Sequence, residues 1–296
     1  RDPNYRLPRY RYGLMNSQQE GGAVRCETTF YFADPEVADP AYFLCAAPEH
    51  ASLRDPGRLP HKSWVEDIRG REEPLSLDRN GLAFVIQPAP LLDFYDAEQV
   101  RSVYYPQAAA LVKEATGADW VHIFDHNLRS KARVPEDHVT RREAIQNPVK
   151  SVHNDYTETS APQRIRDLFP ERAECLLRGR YAMINVWRPI SGPVVQTPFA
   201  VIDAVSIDVQ DFIPIDLVYE DRTGQIYMVK HNPEHRWLYL SQQCPHEVML
   251  LKCYDSDATV AARYTAHSAF ELPKVDDREL PARESIEARA IAFFDA

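Results

Sequence analysis

The chain has 296 residues, 44% apolar and 26% charged, with a formal charge of −10, enough to bury a full core as one soluble globular domain. The acidic balance argues against a nucleic-acid footprint, which needs a basic face, so any anionic ligand has to be met by locally placed arginines. No apolar run approaches the ~20 residues of a membrane span, and five scattered cysteines without a C-x-x-C spacing exclude zinc fingers and iron–sulfur ligation and read as reduced thiols of a cytoplasmic protein.

Residues 1–80 carry many prolines, charges and aromatics without a long periodic run, and read as an extension wrapping a core formed by residues 81–296. No signal-peptide pattern is read at the start. Within this extension, Arg25 to Ala33 is predicted as a strand, and Pro35 to Leu77 as loop with short helical pieces. Asn80-Gly81 turns the chain into a strand over Leu82 to Ile86. Asp96 to Thr116 is the clearest helix, with Val100, Val103, Tyr104, Ala108, Leu111, Val112 and Ala115 at helical spacing and Gly117 as the stop. Trp120 to His126 alternates Trp120, His122, Phe124 and His126 on one face against Val121, Ile123 and Asp125 on the other, a strand pattern. Arg129 to Ile145 is charged and reads as loop, and Ala161 to Leu177 as a polar helix interrupted by Pro170. From Tyr181 onward, short apolar runs (181–187, 199–207, 213–219, 226–230, 237–240, 248–254, 260–270 and 285–294) alternate with Pro, Gly, Asn or Asp. That spacing predicts a mainly β protein with helices: a double-stranded β-helix (jelly-roll) core behind an N-terminal helical and extended wrap.

One stretch in mid-chain, Ser151-Val152-His153-Asn154-Asp155-Tyr156-Thr157, suggests chemistry. An imidazole and a carboxylate two residues apart share a strand face and can take adjacent corners of one metal ion. A distant second histidine would complete a two-histidine–one-carboxylate triad, which leaves three positions of an octahedral iron open. By itself H-x-D is a weak signal. Among ten histidines, His50, His61 and His138 read as solvated, His122 and His126 as packed or hydrogen-bonded, and His231 and His235 as a surface turn. His246 and His267 stay in contention for the third ligand. His267 is favoured, because a jelly-roll takes this ligand from a late strand with one more strand to follow.

An iron oxygenase that uses 2-oxoglutarate must also hold a second carboxylate, a task suited to the paired N–H donors of guanidinium. Arg283 and Arg289 in the last strand are the candidates. If Pro273 to Ala282 forms a hairpin loop, antiparallel pairing sets His267 opposite Arg289, which puts Arg289 ahead. Asn185 and Trp187 share a strand face and are candidate pocket residues, with Tyr156 and Arg188 as further substrate contacts.

The blocks VHNDYT, INVWRPISGPV with FAVIDAVSI, HEVMLLKCYDSD, AHSAFELP and RESIEAR, together with FYDAEQVRSVYYPQAAALVKEATGA, resemble the fungal hydroxylase/desaturase family of Fe(II)/2-oxoglutarate-dependent oxygenases. This is the group of AsaB-type, gibberellin-desaturase and CmcJ-like proteins of secondary-metabolite clusters, with the TqaL-type aziridine-forming oxygenases in the same broad group. The resemblance runs from roughly Gly81 to the C-terminus. It implies a jelly-roll dioxygenase that takes Fe(II), 2-oxoglutarate and dioxygen and oxidises an unactivated C–H bond of a small metabolite, with release of succinate and CO2. Hydroxylation, desaturation or oxidative ring closure would follow. It carries the metal onto His153, Asp155 and His267. The competing reading is a cupin-like hydrolase or isomerase, or a metabolite-binding jelly-roll without oxygen chemistry.

Overall fold

The computed structural model describes residues 17–20, 23–134, 145–273 and 280–294. His138 and part of the expected hairpin loop fall outside them. The N-terminal region contributes β1 (Ser17–Glu20), β2 (Ala23–Phe32), β3 (Ala41–Phe43), β4 (Leu59–Asp67) and β5 (Leu82–Ile86). A helix Ala97–Gln99, a π-helical turn Val100–Tyr104 and a helix Tyr105–Thr116 then run on continuously. Gly117 closes them in the left-handed conformation at φ 71°, where a residue without Cβ sits at no steric cost. Next come β6 (Trp120–Ser130), β7 (His153–Asn154), and helices Ser160–Leu168 and Ala173–Leu176 separated at Pro170. The rest is β8 (Tyr181–Pro189), β9 (Phe199–Ile202), β10 (Phe212–Val218), β11 (Thr223–Val229), β12 (Trp237–Tyr239), β13 (Glu247–Asp255), β14 (His267–Ala269) and β15 (Glu284–Phe293).

Two sheets enclose the core, in the orders β1-β2-β4-β12-β9-β14-β7-β11-β10-β3 and β5-β13-β8-β15-β6. The mainly β, jelly-roll expectation is borne out. Every residue of β8 is buried, because the second sheet is covered on both faces. Tyr181, Met183 and Trp187 point between the sheets, and Ala182, Ile184 and Val186 toward the Tyr105–Thr116 helix. This strict alternation makes the parity of a residue decide whether it can reach the interior.

The structure departs from the sequence pattern in several places. Arg129 and Ser130, the first of them expected to open a loop, close β6. The loop expected at 35–77 contains the nine-residue β4, of which only Val65 is buried; a strand with one wet face carries little hydrophobic signal. The run 260–270 is a strand only at its end, at His267–Ala269. The expected hairpin pairing of His267 with Arg289 does not form: β14 pairs with β7 and β9 in the first sheet, and β15 with β6 and β8 in the second. The chain crosses between sheets instead of folding back within one.

Candidate metal centre

β7 is only two residues long, held between β11 and β14. Its pairing sets His153 directly opposite His267. Past the end of β7 the chain turns inward and delivers Asp155. Buried Asn154 fixes that turn, with its side-chain amide donating to the carbonyls of Tyr156 (2.7 Å) and Cys253 (2.9 Å) and its oxygen accepting from the Thr265 N–H at 3.2 Å.

The Asp155 carboxylate lies 3.6 Å from His153 Nε2 and 4.0 Å from His267 Nε2, and one donor atom from each residue falls within 4.8 Å of the others. His153 Nδ1 is 2.8 Å from the Ser151 carbonyl, and His267 Nδ1 is 3.0 Å from the Thr265 carbonyl. A carbonyl can only accept, so each Nδ1 carries the proton and each Nε2 keeps its lone pair toward Asp155. Phe199 stacks on His267 with ring centroids 5.1 Å apart. Burial, and then the neighbouring His267, pull His153 down to about 4, and burial lowers His267 as well. Both imidazoles are therefore neutral at pH 7, the form that ligates. Burial by itself would raise the Asp155 carboxyl, but Arg289 and the two imidazoles hold it well below the usual range. Two neutral imidazoles and one ionised carboxylate are a donor set that fits Fe(II).

Asn185 and Arg289 orient the carboxylate. Asn185 Nδ2 donates to Asp155 Oδ2 at 2.7 Å, and Arg289 Nε lies 3.7 Å from the same oxygen, leaving Oδ1 toward the histidines. Arg289 also pairs with Asp125 at 3.1 Å and Glu287 at 3.8 Å. Its charge is thus already matched by protein carboxylates. Among the described residues no carboxylate pairs with Arg283 in this way. Arg283 shares a cavity with His153, His267, Trp187, Ser285 and Glu287; its guanidinium lies over the Trp187 ring at 5.6 Å and gives one N–H to the Thr197 carbonyl at 2.7 Å. Burial, with Arg129 alongside, pulls Arg283 down to about 9, and Glu287 and Glu271 oppose that shift only in part. Arg283 Nε and Ser285 Oγ are both buried without a partner.

The remaining candidates divide by parity. Trp187 lines the cavity. Tyr156 is buried between the sheets; burial raises its hydroxyl, which also feels the charges of Arg289, Asp125 and Asp155. Arg188 is not part of the site. As an even residue of β8 it points the other way, over the Tyr104 ring at 5.5 Å and to Gln87 at 2.8 Å. His246 is exposed, its carbonyl accepting from Gln87 N–H, and His235 is buried against Asp211 at 3.0 Å rather than on the surface.

Sequence reasoning missed Arg129, Asp125 and Ser285. β6 and β15 slip register so that Arg289 faces Asp125 and Ala290 faces Ile123, which leaves Phe124 as an extra residue. This β-bulge reverses the alternation. Asp125 and Arg129 turn to the metal side, and His126 turns away to Tyr105 at 2.8 Å, correcting the single face expected for His122 and His126. Ser285 was legible, two residues after Arg283 on the same strand face.

A jelly-roll that brings two imidazoles and one carboxylate together beside a buried cationic cavity defines a candidate mononuclear non-haem iron enzyme. Known proteins agree. Residues 29–293 match the family described as "Oxidoreductase/YMDC permease-like domain". The chain is 31% identical over 283 residues, 92% of its length and 98% of the relative's, to the Fe(II)/2-oxoglutarate-dependent dioxygenase nvfI of Aspergillus novofumigatus. It is 34% identical over 249 residues (78% of this chain, 83% of the relative) to the hydroxylase/desaturase efuI of Hormonema carpetanum. The solved structure of the iron and alpha-ketoglutarate-dependent endoperoxidase NvfI superposes with a TM-score of 0.79 at 29% identity, covering 91% of this chain and 98% of that one. The chain belongs to this family of Fe(II)/2-oxoglutarate-dependent dioxygenases and hydroxylase/desaturases. The enzyme class and the cofactors expected from the sequence, Fe(II), 2-oxoglutarate and dioxygen, are those of the family. Among the described residues no helix is long and apolar enough to cross a membrane.

Proposed function

We propose that the enzyme oxidises an unactivated C–H bond of a small molecule of secondary metabolism, by hydroxylation, desaturation or oxidative ring closure, with 2-oxoglutarate converted to succinate and CO2. The observation that carries this reading is the convergence of His153, Asp155 and His267 beside two buried polar atoms, Arg283 Nε and Ser285 Oγ, that have no protein partner. His153, Asp155 and His267 hold Fe(II). Arg283 and Ser285 bind the distal carboxylate of 2-oxoglutarate: a fork and a hydroxyl on one strand face suit two carboxylate oxygens. Bound iron, 2-oxoglutarate and dioxygen together supply an oxidant able to take hydrogen from a C–H bond. Asn185 and Arg289 aim the Asp155 carboxylate, and Trp187 and Phe199 wall the cavity and limit water. Tyr156 lines the approach of the substrate.

A jelly-roll hydrolase or a simple metabolite binder would have no use for an unmatched buried guanidinium next to its metal ligands. The five unpaired cysteines and the acidic balance support action in the cytoplasm without nucleic-acid or membrane partners. The test is succinate release from 2-oxoglutarate by Fe(II)-loaded protein, with and without a panel of terpenoid acids, polyketides and amino acids. Succinate formation that depends on iron and rises with one member supports the reading. No 2-oxoglutarate consumption under any condition ends it.

A further inference from the structure

The cavity beside the triad holds a second guanidinium, Arg129. It stands directly opposite Ser285 in the pairing of β6 with β15, brought to that face by the bulge at Phe124. Its Nη1 donates to Gln146 Oε1 and to the Asn147 carbonyl, both at 2.9 Å. These bonds fix one arm of the fork and leave the others for a ligand. The hydrogen bonds of Arg129 and Arg283 to described residues go to Gln146, Asn147 and the Thr197 carbonyl, none of them a carboxylate. Glu287, the acid lining the cavity, makes its ion pair with Arg289 at 3.8 Å. Burial lowers the Arg129 guanidinium, with Glu287 and Asp155 opposing and Arg289 adding to the shift.

Resting on the functional reading above, we propose that Arg129 is a second cationic arm on the distal carboxylate of 2-oxoglutarate, closing a clamp with Arg283 and Ser285 from the neighbouring strand. Position separates this role from one at the metal end of the co-substrate. Asn185 and Arg289 hold Asp155, and Asp125 pairs with Arg289, at the level of residue 289 in β15, whereas the Arg129 backbone lies at the level of Ser285, four residues or roughly 13 Å along the strand. A buried cation, Arg283, and a half-buried one, Arg129, line the cavity at that level, and the distal carboxylate of a C5 dicarboxylate supplies an anion with oxygens for both forks.

The test compares two oxo acids in anaerobic titrations of Fe(II)-loaded protein, followed by the visible absorption that appears on chelation. 2-Oxoglutarate carries the distal carboxylate; 2-oxopentanoate has a methyl group there and the same chelating end. In R129M, the affinity for 2-oxoglutarate should fall about 10- to 100-fold, the range of one charge-assisted hydrogen bond, while 2-oxopentanoate binds as it does to the natural chain. R129Q, whose amide can keep a bond to Gln146 or Asn147, carries the same comparison if R129M does not fold. Equal weakening of both acids, or unchanged 2-oxoglutarate affinity, overturns the proposal. R283M in parallel separates the two readings. If it weakens 2-oxoglutarate and R129M does not, the functional reading stands and the second arm falls. If the natural chain binds neither acid, the functional reading itself falls.

Discussion

His153 and His267 face each other across a pair of antiparallel strands, their ring centroids 4.4 Å apart, and each ring is held by a carbonyl two residues before it. The same device is used twice from segments more than a hundred residues apart. Each ring presents Nε2 to a common point because its Nδ1 proton is already committed.

Removal of either ring should therefore destroy the centre and not merely weaken it. H267A is expected to lose Fe(II) affinity by more than about 100-fold, beyond the 10- to 100-fold typical of an outer-shell change, whereas H246A should retain iron in full. Iron content after desalting measures both, and iron retained by H267A but lost from H246A would reassign the ligand.

Asn185 supplies the outer-shell comparison. Its 2.7 Å hydrogen bond to Asp155 Oδ2 fixes which oxygen faces the imidazoles. N185A should cost about 10-fold or more in metal affinity with a much smaller effect on the metal-free thermal midpoint. A chelator competition titration reads the first and calorimetry the second.

The buried histidines also make stability depend on pH. In the unfolded chain each imidazole takes a proton near 6.5, whereas in the fold His153 resists protonation down to about 4 and His267 is lowered as well. Below pH 6.5 the unfolded state binds more protons than the folded one, so acid favours unfolding. The thermal midpoint of metal-free protein should fall as pH drops from about 6.5 toward 4, with this contribution absent above 6.5. H153F should flatten the slope; an unchanged slope would remove His153 as its cause.

Gly81 is linked to the metal centre through Thr265. It sits at φ +79°, and a Cβ there would lie 1.9 Å from Thr265 Oγ1, whose own carbonyl holds the His267 ring. G81A is expected to cost upwards of about 1–3 kcal/mol from the left-handed backbone, with further loss from the clash. It should also loosen iron, because displacing Thr265 frees His267. Equilibrium denaturation and the chelator titration test the two parts separately.

Some of this was legible in the linear chain because it is local. The H-x-D pair, the helix over 96–116, the apolar runs of β8, β13 and β15, and the shared face of Asn185 and Trp187 follow from spacing alone, since periodicities of 2 and 3.6 are properties of one segment. Tertiary structure decided which cation stays unmatched. Arg283 and Arg289 are six residues apart on one strand face, and nothing in the strand distinguishes them. Arg289 is neutralised because a bulge in a neighbouring strand turns Asp125 toward it, and the same bulge brings Arg129 opposite Ser285. Charge balance in a buried site is set by neighbours across the sheet, and one extra residue in one strand changes all of them.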